Sequence, residues 1–344
     1  MPSIAIAGCG AIGGIIGGFV WDKEDTVLIC KNPEITQAIR THGLYVKGVR
    51  GNWRFTPRAY ANFSDQREKF DIIILTMKAT AVYDAAKDAL NYLKPDGFMV
   101  TFQNGIVEDK LLEIVPEEKL IGGIVGFGGT LLSPGVVEMT SRGELIIGER
   151  NGKVTERVKE LQRILNYVTP TRISENIWGA KYSKLLINAC ITTMGAVSGL
   201  YLGEMLRRKE FRKIFGEIIY EGVKVAQARG IKLEKISGVP IDKLAPSEND
   251  RKKGFTFSRF LKDTIIRAIG WRFRRLKSSS LQSLERGRKT EVDFINGTIV
   301  KYGKEAGVPT PVNEKIVKMV HEIEDGIRKI SPENLEELLP LIPY

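Results

Sequence analysis

Six residues near the start of the chain have the types and the spacing of a phosphate-binding loop. They are Gly8, Cys9, Gly10, Ala11, Ile12 and Gly13, a G-x-G-x-x-G pattern between an apolar strand-like run and a helix-like run. Gly8 allows a tight turn, Gly10 lets a pyrophosphate approach the backbone, and Gly13 lets helix and strand pack closely. The free N–H groups at the helix start would face the anion. The pattern predicts dinucleotide binding, and a glycine-rich turn without a ligand is the alternative.

Polar side chains follow three later strand-like runs. Lys31 stands about 20 residues after Gly10, where an NAD-binding chain usually has an acid, and a cation there suits the 2′-phosphate of NADP. Lys78 and Asn104 follow the next two runs. Because ligands bind beyond the carboxyl ends of parallel strands, we expect these three residues near the cofactor. A solvated lysine and a simple Asn-Gly turn are the alternatives.

Lys184 and Asn188 lie four residues apart in a helix-like run that is otherwise apolar, so they share a helix face. If they are buried, both need polar partners. An exposed polar stripe on an amphipathic helix is the alternative.

A second polar group follows residue 277. Serines at 278–280 are natural helix N-caps, and Glu291 lies eleven residues after Ser280, close to three helical turns. Ser280 and Glu291 are therefore expected on one helix face, directed at one site. An ordinary capped helix with surface charges is the alternative.

The elements that position these residues change character midway along the chain. Continuous apolar runs in the first half, separated by helical ones, predict a parallel sheet covered on both faces. The runs are 3–7, 26–30, 70–76, 97–102 and 120–125. Residues 134–138 and 143–148 are expected to form an antiparallel extension. We therefore predict an α/β fold, with a Rossmann-type doubly wound parallel sheet over 1–172 and an all-helical domain over 173–344.

The composition is that of an ordinary globular protein, with 43% hydrophobic and 27% charged residues among 344. The first strand begins almost at Met1, which leaves no room for a signal peptide. The three cysteines are odd in number and widely spaced, so they are expected as buried thiols in a reducing, cytoplasmic compartment. Neither of the two histidines has neighbours with metal-ligand spacing, so no metal site is expected.

The positive charge is concentrated in one segment. Arg251–Lys277 holds ten Lys and Arg against one acid, which accounts for +9 of the net charge of +11. It also contains five aromatic residues, at 255, 257, 260, 271 and 273. The main expectation is a surface helix with its aromatic side chains packed inward and its cations solvated. Contact with a membrane surface, an anionic partner or a bulky acidic substrate is the alternative, and no recognised nucleic-acid module is present.

The ordered set of motifs resembles the ketopantoate reductase (2-dehydropantoate 2-reductase) family. The motifs are Gly8-Cys9-Gly10-Ala11-x-Gly13, Thr76-Met77-Lys78, Gln103-Asn104-Gly105, Pro134-Gly135-Val136-Val137-Glu138, Lys184-Leu185-x-x-Asn188, the block from Gly287 to Gly297, and Gly307-Val308-Pro309-Thr310-Pro311. The resemblance implies NADPH bound in a cleft between a Rossmann domain and a helical domain, a homodimer, and reduction of ketopantoate to pantoate in pantothenate biosynthesis.

The resemblance also implies roles for individual residues. Lys184 would be the general acid that protonates the carbonyl oxygen of the substrate as hydride arrives. Glu291 would hold the hydroxyl and help to position that lysine. Asn104 and Asn188 would orient the substrate and the lysine, and Asn104 would also line the cofactor site.

Further assignments by resemblance concern the two ligands. Ser279 would bind the substrate carboxylate, whereas helix geometry favours Ser280 for facing the glutamate. Lys31 and Lys78 would contact the cofactor, with Lys31 at its 2′-phosphate.

The sequence departs from the family at two positions of the substrate pocket and in the length of the helical half. Thr192 and Leu202 stand where the family often has asparagine. A basic insertion near 240–277 adds roughly two dozen residues. The alternatives are therefore a reductase of the same family that acts on a different 2-oxo acid or imine and, more remotely, an NADP-binding regulator without enzymatic activity.

Overall fold

The computed structural model describes residues 1–66, 68–236, 238, 240–253 and 256–344. The described chain forms two compact units, one of residues 1–103 and 107–178, the other of residues 104–106 and 179–344. The change from the first unit to the second falls after Trp178, a few residues beyond the change in pattern seen at 172 in the sequence.

The first unit contains an eight-stranded sheet and a four-stranded sheet. The strands are β1 (Ile4–Ala7), β2 (Thr26–Ile29), β3 (Leu44–Gly48), β4 (Trp53–Phe55), β5 (Arg58–Tyr60), β6 (Phe70–Leu75), β7 (Leu93–Thr101), β8 (Leu120–Val125), β9 (Gly128–Ser133), β10 (Val136–Ser141), β11 (Leu145–Glu149) and β12 (Thr171–Ile173). Its helices are α1 (Ala11–Trp21), α2 (Pro33–His42), α3 (Ala79–Ala89), α4 (Glu108–Leu111) and α5 (Glu156–Leu165).

The large sheet has the strand order β12-β11-β8-β7-β6-β1-β2-β5. All neighbouring strands are parallel except β8 and β11, so β11 is the antiparallel extension that the sequence predicted. The order reverses at β1, between β2 and β6, which is the topological switch point where open α/β sheets bind their ligands. The predicted Rossmann-type fold is thereby confirmed.

The four-stranded sheet has the order β4-β3-β10-β9 and was not predicted. Residues 134–138 belong to this sheet through β10, so the expectation that they extend the main sheet was wrong. Helix α1 packs against both sheets, and this explains its glycines. A Cβ at Gly17 would press on Leu28 of β2, and one at Gly18 would lie 2.7 Å from the ring of Phe55 in β4.

Helices make up almost all of the regular structure in the second unit, as predicted. They are α6 (Ile177–Ser198), α7 (Leu202–Arg207), α8 (Lys209–Ala228), α9 (Glu248–Lys252), α10 (Phe257–Arg272), α11 (Ser279–Glu285), α12 (Asn296–Ala306), α13 (Pro311–Glu324) and α14 (Glu333–Glu336). Tyr182 of α6 anchors the core of this unit, where it stacks on Tyr302 and donates a hydrogen bond to the Gly222 carbonyl. None of the described helices has the length and apolarity needed to cross a bilayer.

The basic segment differs from the expectation in one respect. Phe257, Phe260, Trp271 and Phe273 are exposed, so the prediction that the aromatic side chains pack inward was wrong for these four residues. Phe255 lies outside the described residues. The physical reason is that α10 packs through other side chains, which are considered below.

Candidate active site

The glycine-rich loop follows β1 and leads into α1. Gly8 has a φ of +100°, and a Cβ there would lie 2.7 Å from the Met77 backbone nitrogen. A Cβ at Gly13 would overlap the Gly8 carbonyl oxygen, whereas a Cβ at Gly10 would have no neighbour within 4 Å. The loop therefore has a turn that requires glycine, a close contact between helix and strand, and an open backbone at its centre.

The start of α1 is left open to an anion. Gly10 is the N-cap and has no side-chain cap, and the first turn contains no acid. The adjacent strand β6 holds the loop in place, because the Thr76 hydroxyl lies 2.9 Å from the Ala7 carbonyl oxygen and 2.6 Å from that of Gly8. Cys9, Ala11 and Ile12 complete this loop, which has the backbone features of a pyrophosphate site.

A disulfide joins this loop to the end of β2. Cys9 and Cys30 are bonded, with their Cα atoms 5.0 Å apart, and both are buried. The prediction of free thiols was wrong for these two residues, because β1 and β2 are parallel neighbours whose carboxyl ends lie side by side. Cys190 is the free cysteine of the described chain, and burial raises its thiol pKa well above the usual value.

The polar residues that follow the strands of the first unit differ in exposure. Lys31 comes directly after the disulfide and is exposed, and Lys78 is the exposed N-cap residue of α3. Gln103 is buried, and its side-chain nitrogen donates to the carbonyls of Leu75 (2.9 Å) and Met77 (3.0 Å). Its Oε1 has no hydrogen-bond partner in the described chain. Sequence reasoning quoted Gln103 in a motif but gave it no role.

Helix α6 carries a row of polar residues on successive turns. Lys184 is half-buried, and burial lowers its pKa below the ordinary value of 10.5. The amide of Asn188 donates a 3.2 Å hydrogen bond to Oδ1 of Asn104. The buried Thr192 donates through its hydroxyl to the Asn188 carbonyl at 2.8 Å. The structure thus places Asn104 beside Asn188, which lies one helical turn from Lys184.

Residues 104–106 belong to the second unit because they pack on the segment that contains Glu291. A Cβ at Gly105, which has a φ of +79°, would overlap the Phe294 carbonyl oxygen, and the Ile106 N–H donates to that oxygen at 3.3 Å. The Phe294 N–H in turn donates to the Glu291 carbonyl at 3.0 Å. Glu291 is half-buried at the start of this short turn. Asn104 is therefore held next to two segments that the sequence predicted for the site, helix α6 through Asn188 and the turn that follows Glu291 through the packing of residues 105–106.

Ser280 and Glu291 do not share a helix, so that prediction was wrong. Helix α11 ends at Glu285, and Gly287, with a φ of +61°, turns the chain away before Glu291 is reached. Ser278 is the N-cap and accepts a 3.0 Å bond from the Leu281 N–H. Ser279 is exposed and Ser280 is buried.

A buried polar network lies behind the row on α6. The Asn296 amide donates to the Ala189 carbonyl (3.3 Å) and to Asn313 (2.9 Å), and the Asn313 amide donates to Glu221 (2.6 Å). Glu221 also accepts from the backbone N–H groups of Val312 and Asn313, so it caps α13. Burial outweighs these bonds and raises the pKa of Glu221 to about 7. Glu221 follows the apolar run that ends at Tyr220, and Asn296 follows Phe294 and Ile295, so a polar residue beside apolar ones was the available sequence signal for these two.

Two family models match this arrangement across most of the chain. The model described as ketopantoate reductase PanE/ApbA matches residues 4–152, and the corresponding C-terminal model matches residues 176–324. The chain belongs to the ketopantoate reductase family. A 2-dehydropantoate 2-reductase of Pyrococcus horikoshii is 32% identical to this ketopantoate reductase family member over 313 residues, covering 90% of this chain and 93% of the relative. The enzyme of that name from Archaeoglobus fulgidus is 26% identical, with coverage of 94% and 98%.

Solved structures agree with this family assignment. A PanE/ApbA family ketopantoate reductase from Ralstonia eutropha is 26% identical and superposes with a TM-score of 0.79, covering 95% of this chain and all of that one. A D-mandelate dehydrogenase is 24% identical, with a TM-score of 0.80 and coverage of 94% and 99%, and this likeness concerns the fold alone. Within the described residues, no cluster of three or more His, Cys, Asp or Glu is arranged to hold a metal ion.

Proposed function

We propose that this family member reduces a 2-oxo acid to a 2-hydroxy acid with NADPH, and that the substrate is 2-dehydropantoate. The observation that carries the proposal is the placement of Lys184, half-buried and one helical turn from the hydrogen-bonded pair Asn188 and Asn104. The names of the curated relatives support the choice of substrate.

In this proposal Lys184 is the proton donor. Reduction of a ketone builds negative charge on its oxygen, and an ammonium group stabilises that charge more strongly than it stabilises the neutral ketone. Burial lowers the pKa of Lys184, which brings its acidity closer to neutral pH and makes proton transfer easier. The lysine is still the charged acid when its pKa lies above the working pH.

The neighbouring polar residues position the substrate. Asn188 and Asn104 orient the carbonyl group toward the lysine, since their mutual hydrogen bond fixes both amides. Glu291 holds the hydroxyl of the product and favours the charged lysine. Ser279 binds the substrate carboxylate, for which its exposed position is suitable, whereas Ser280 is buried.

The first unit fits a dinucleotide. Gly10 leaves open space at the uncapped start of α1, and the buried Oε1 of Gln103 lacks a donor among the described residues. The glycine-rich loop would hold the pyrophosphate, Lys31 the 2′-phosphate, and Lys78 a further part of the cofactor. When it is bound, NADPH supplies the hydride.

A second candidate is a related reductase that acts on another 2-oxo acid or on an imine. Two observations favour it. The Thr192 hydroxyl is already bonded to the backbone of its own helix, and Leu202 is buried with 1% exposure. Neither residue offers the substrate the amide that the family often has at these positions. A non-enzymatic NADP-binding regulator remains the remote alternative.

A substrate panel tests these candidates. NADPH consumption is measured with 2-dehydropantoate, with linear and branched 2-oxo acids, and with a cyclic imine. The proposal predicts the highest kcat/KM for 2-dehydropantoate. Turnover of another panel member with 2-dehydropantoate inert would establish the second candidate, and tight NADPH binding without any turnover would establish the regulator.

Assembly and location complete the proposal. We propose a homodimer, which light scattering of the purified chain measures directly. We also propose a cytoplasmic location, which the biosynthetic activity named for the curated relatives supports. The Cys9–Cys30 disulfide removes the argument from free thiols. Cell fractionation tests the location.

A further inference from the structure

Exposed apolar side chains are concentrated on one element of the second unit. Fifteen large apolar side chains are exposed in the described chain, and seven of them lie between residues 257 and 276. They are Phe257, Phe260, Leu261, Ile265, Trp271, Phe273 and Leu276. Phe257 is 71% exposed and Trp271 is 73% exposed, so most of the surface of both rings faces solvent. We call the outward side of α10 and the residues that follow it to Leu276 the apolar face.

The inner side of α10 explains why the apolar face points outward. Ile266 is buried, and Gly270 packs so closely on α7 that a Cβ would lie 2.6 Å from Leu206. Asp263 pairs with the buried Arg212 at 2.7 Å, and Lys262 pairs with a buried aspartate of α9. Small and ion-paired residues thus attach the helix to the unit. Ile266 is the apolar residue of this attachment, whereas Phe257 and Trp271 of the apolar face lie mostly outside it.

Cations surround the apolar face. Its segment carries ten Lys and Arg against one acid, Asp263, and that acid is engaged inward. Beside Trp271, four arginines line a groove that also contains one glutamate, Glu204. The arginines are Arg207, Arg267, Arg274 and Arg275. Arginine forks match the geometry of phosphate groups.

We propose that the apolar face docks on an anionic phospholipid surface, with the helix lying in the plane of the interface. A helix of 16 residues is about 24 Å long and can insert its aromatic and aliphatic side chains among the headgroups. The arginines of the groove would bind lipid phosphates, and the further cations of the segment would add long-range attraction.

The charge of the segment makes a second copy of the chain a poor partner for the apolar face. Self-association through this face would bring two cationic segments together. Arg251, Lys262 and Lys277 of each segment already pair with acids outside it, and its one acid, Asp263, pairs with Arg212, so a second copy offers no acid from this segment to the other cations. An anionic lipid surface supplies the missing counter-charge to every exposed cation. A lipid surface can therefore bury the apolar side chains and also pair with the cations, whereas a second copy can only bury the apolar side chains.

Co-flotation of the full chain with vesicles tests the proposal. We expect binding to phosphatidylcholine–phosphatidylglycerol vesicles at least about tenfold stronger than to phosphatidylcholine alone, weakening as salt rises. The double variant Phe257→Ser, Trp271→Ser should lose about tenfold of that binding. Ile327→Ser is the matched control, because Ile327 is 77% exposed but lies outside the segment. NADPH oxidation should be unchanged in all variants, so loss of fold is detected independently.

Two further measurements separate the remaining outcomes. Vesicles should shift the tryptophan emission of the native chain to the blue, and Trp271→Phe should lose most of that shift while it still binds. Equal binding to neutral and anionic vesicles, or none to either, would overturn the proposal. A dimer that forms without lipid and dissociates in the double variant would also overturn it, since the face would then join two copies. Displacement from vesicles by free inorganic phosphate at low concentration would assign the arginine groove to a soluble anion instead.

Discussion

Replacement of Lys184 by methionine tests the proposed proton donor most directly. Methionine keeps the apolar stem and removes the charge and the proton. Lys184 is half-buried, so an effective dielectric constant of about 20 is suitable, and a full charge at about 3 Å then contributes about 5 kcal/mol. About half of that charge has developed in the transition state, which gives about 3 kcal/mol, or about a hundredfold in kcat/KM. Loss of proton transfer adds to this, so we expect a decrease of about 10³-fold.

The assay is NADPH oxidation with 2-dehydropantoate across a range of pH. In the native chain, kcat/KM should fall as the pH rises through the pKa of Lys184, which burial places below 10.5, because the protonated donor is lost. The Lys184→Met variant should lack this decline and should bind NADPH with unchanged affinity. Lys301→Met, on an exposed part of α12, is the control. A Lys184→Met variant within about threefold of the native kcat/KM would refute the assignment.

Three further predictions concern the cofactor, the buried network and the disulfide. Lys31→Asp should lower the preference for NADPH over NADH by about 10- to 100-fold, and an unchanged ratio of the two kcat/KM values would contradict the 2′-phosphate contact. Glu221→Ala should lower the free energy of unfolding in urea by about 3 kcal/mol at acidic pH, because the backbone N–H groups that cap α13 lose their acceptor. The pKa of Glu221 is raised to about 7, so its contribution to the free energy of unfolding of the native chain is complete below pH 4.5 and is lost as the pH rises through 7. If the free energy of unfolding of Glu221→Ala declined in the same way over this pH range, the assignment would be contradicted. Reduction of the Cys9–Cys30 disulfide, which joins residues 21 apart, should lower the free energy of unfolding by about 3 kcal/mol, and Cys30→Ser should be insensitive to reductant.

The sequence was sufficient to predict the glycine-rich loop and six of the eight strands of the main sheet, but not the short edge strands β5 and β12. Both depend on continuous apolar runs and on glycines with strict local requirements, such as the positive φ of Gly8 and the close contact at Gly13. The second sheet was not predictable in this way. Its strands are short, and β3 pairs with β10, about 90 residues later, so no local pattern records the pairing.

The errors in the helical half have two physical causes. The expected helix through Ser280 and Glu291 fails at Gly287, a residue that periodicity alone treats as one more helical position. The aromatic side chains of the basic segment were expected inside because large apolar residues are usually buried. In the structure, α10 is instead attached through Ile266, Gly270 and ion pairs.

The polar row on α6 shows the limit of spacing arguments. The sequence indicates that Lys184 and Asn188 share a face, but it does not indicate that Asn104 reaches this face from a distant part of the chain. That contact depends on the packing of Gly105 against Phe294, which joins segments nearly 190 residues apart. The disulfide is different, since two cysteines at the carboxyl ends of consecutive parallel strands were a usable signal.

The covalent link between the glycine-rich loop and the end of β2 also has a consequence for ligand affinity. A loop that closes around an anion normally loses conformational freedom on binding, and that loss weakens the complex. Here the Cys9–Cys30 disulfide already links the turn before α1 to the backbone that leads to Lys31, with the two Cα atoms 5.0 Å apart. The loop therefore has less conformational entropy to lose when the ligand binds. A dinucleotide should therefore bind the oxidised chain more tightly than the reduced one, with the gain residing in the entropy of binding.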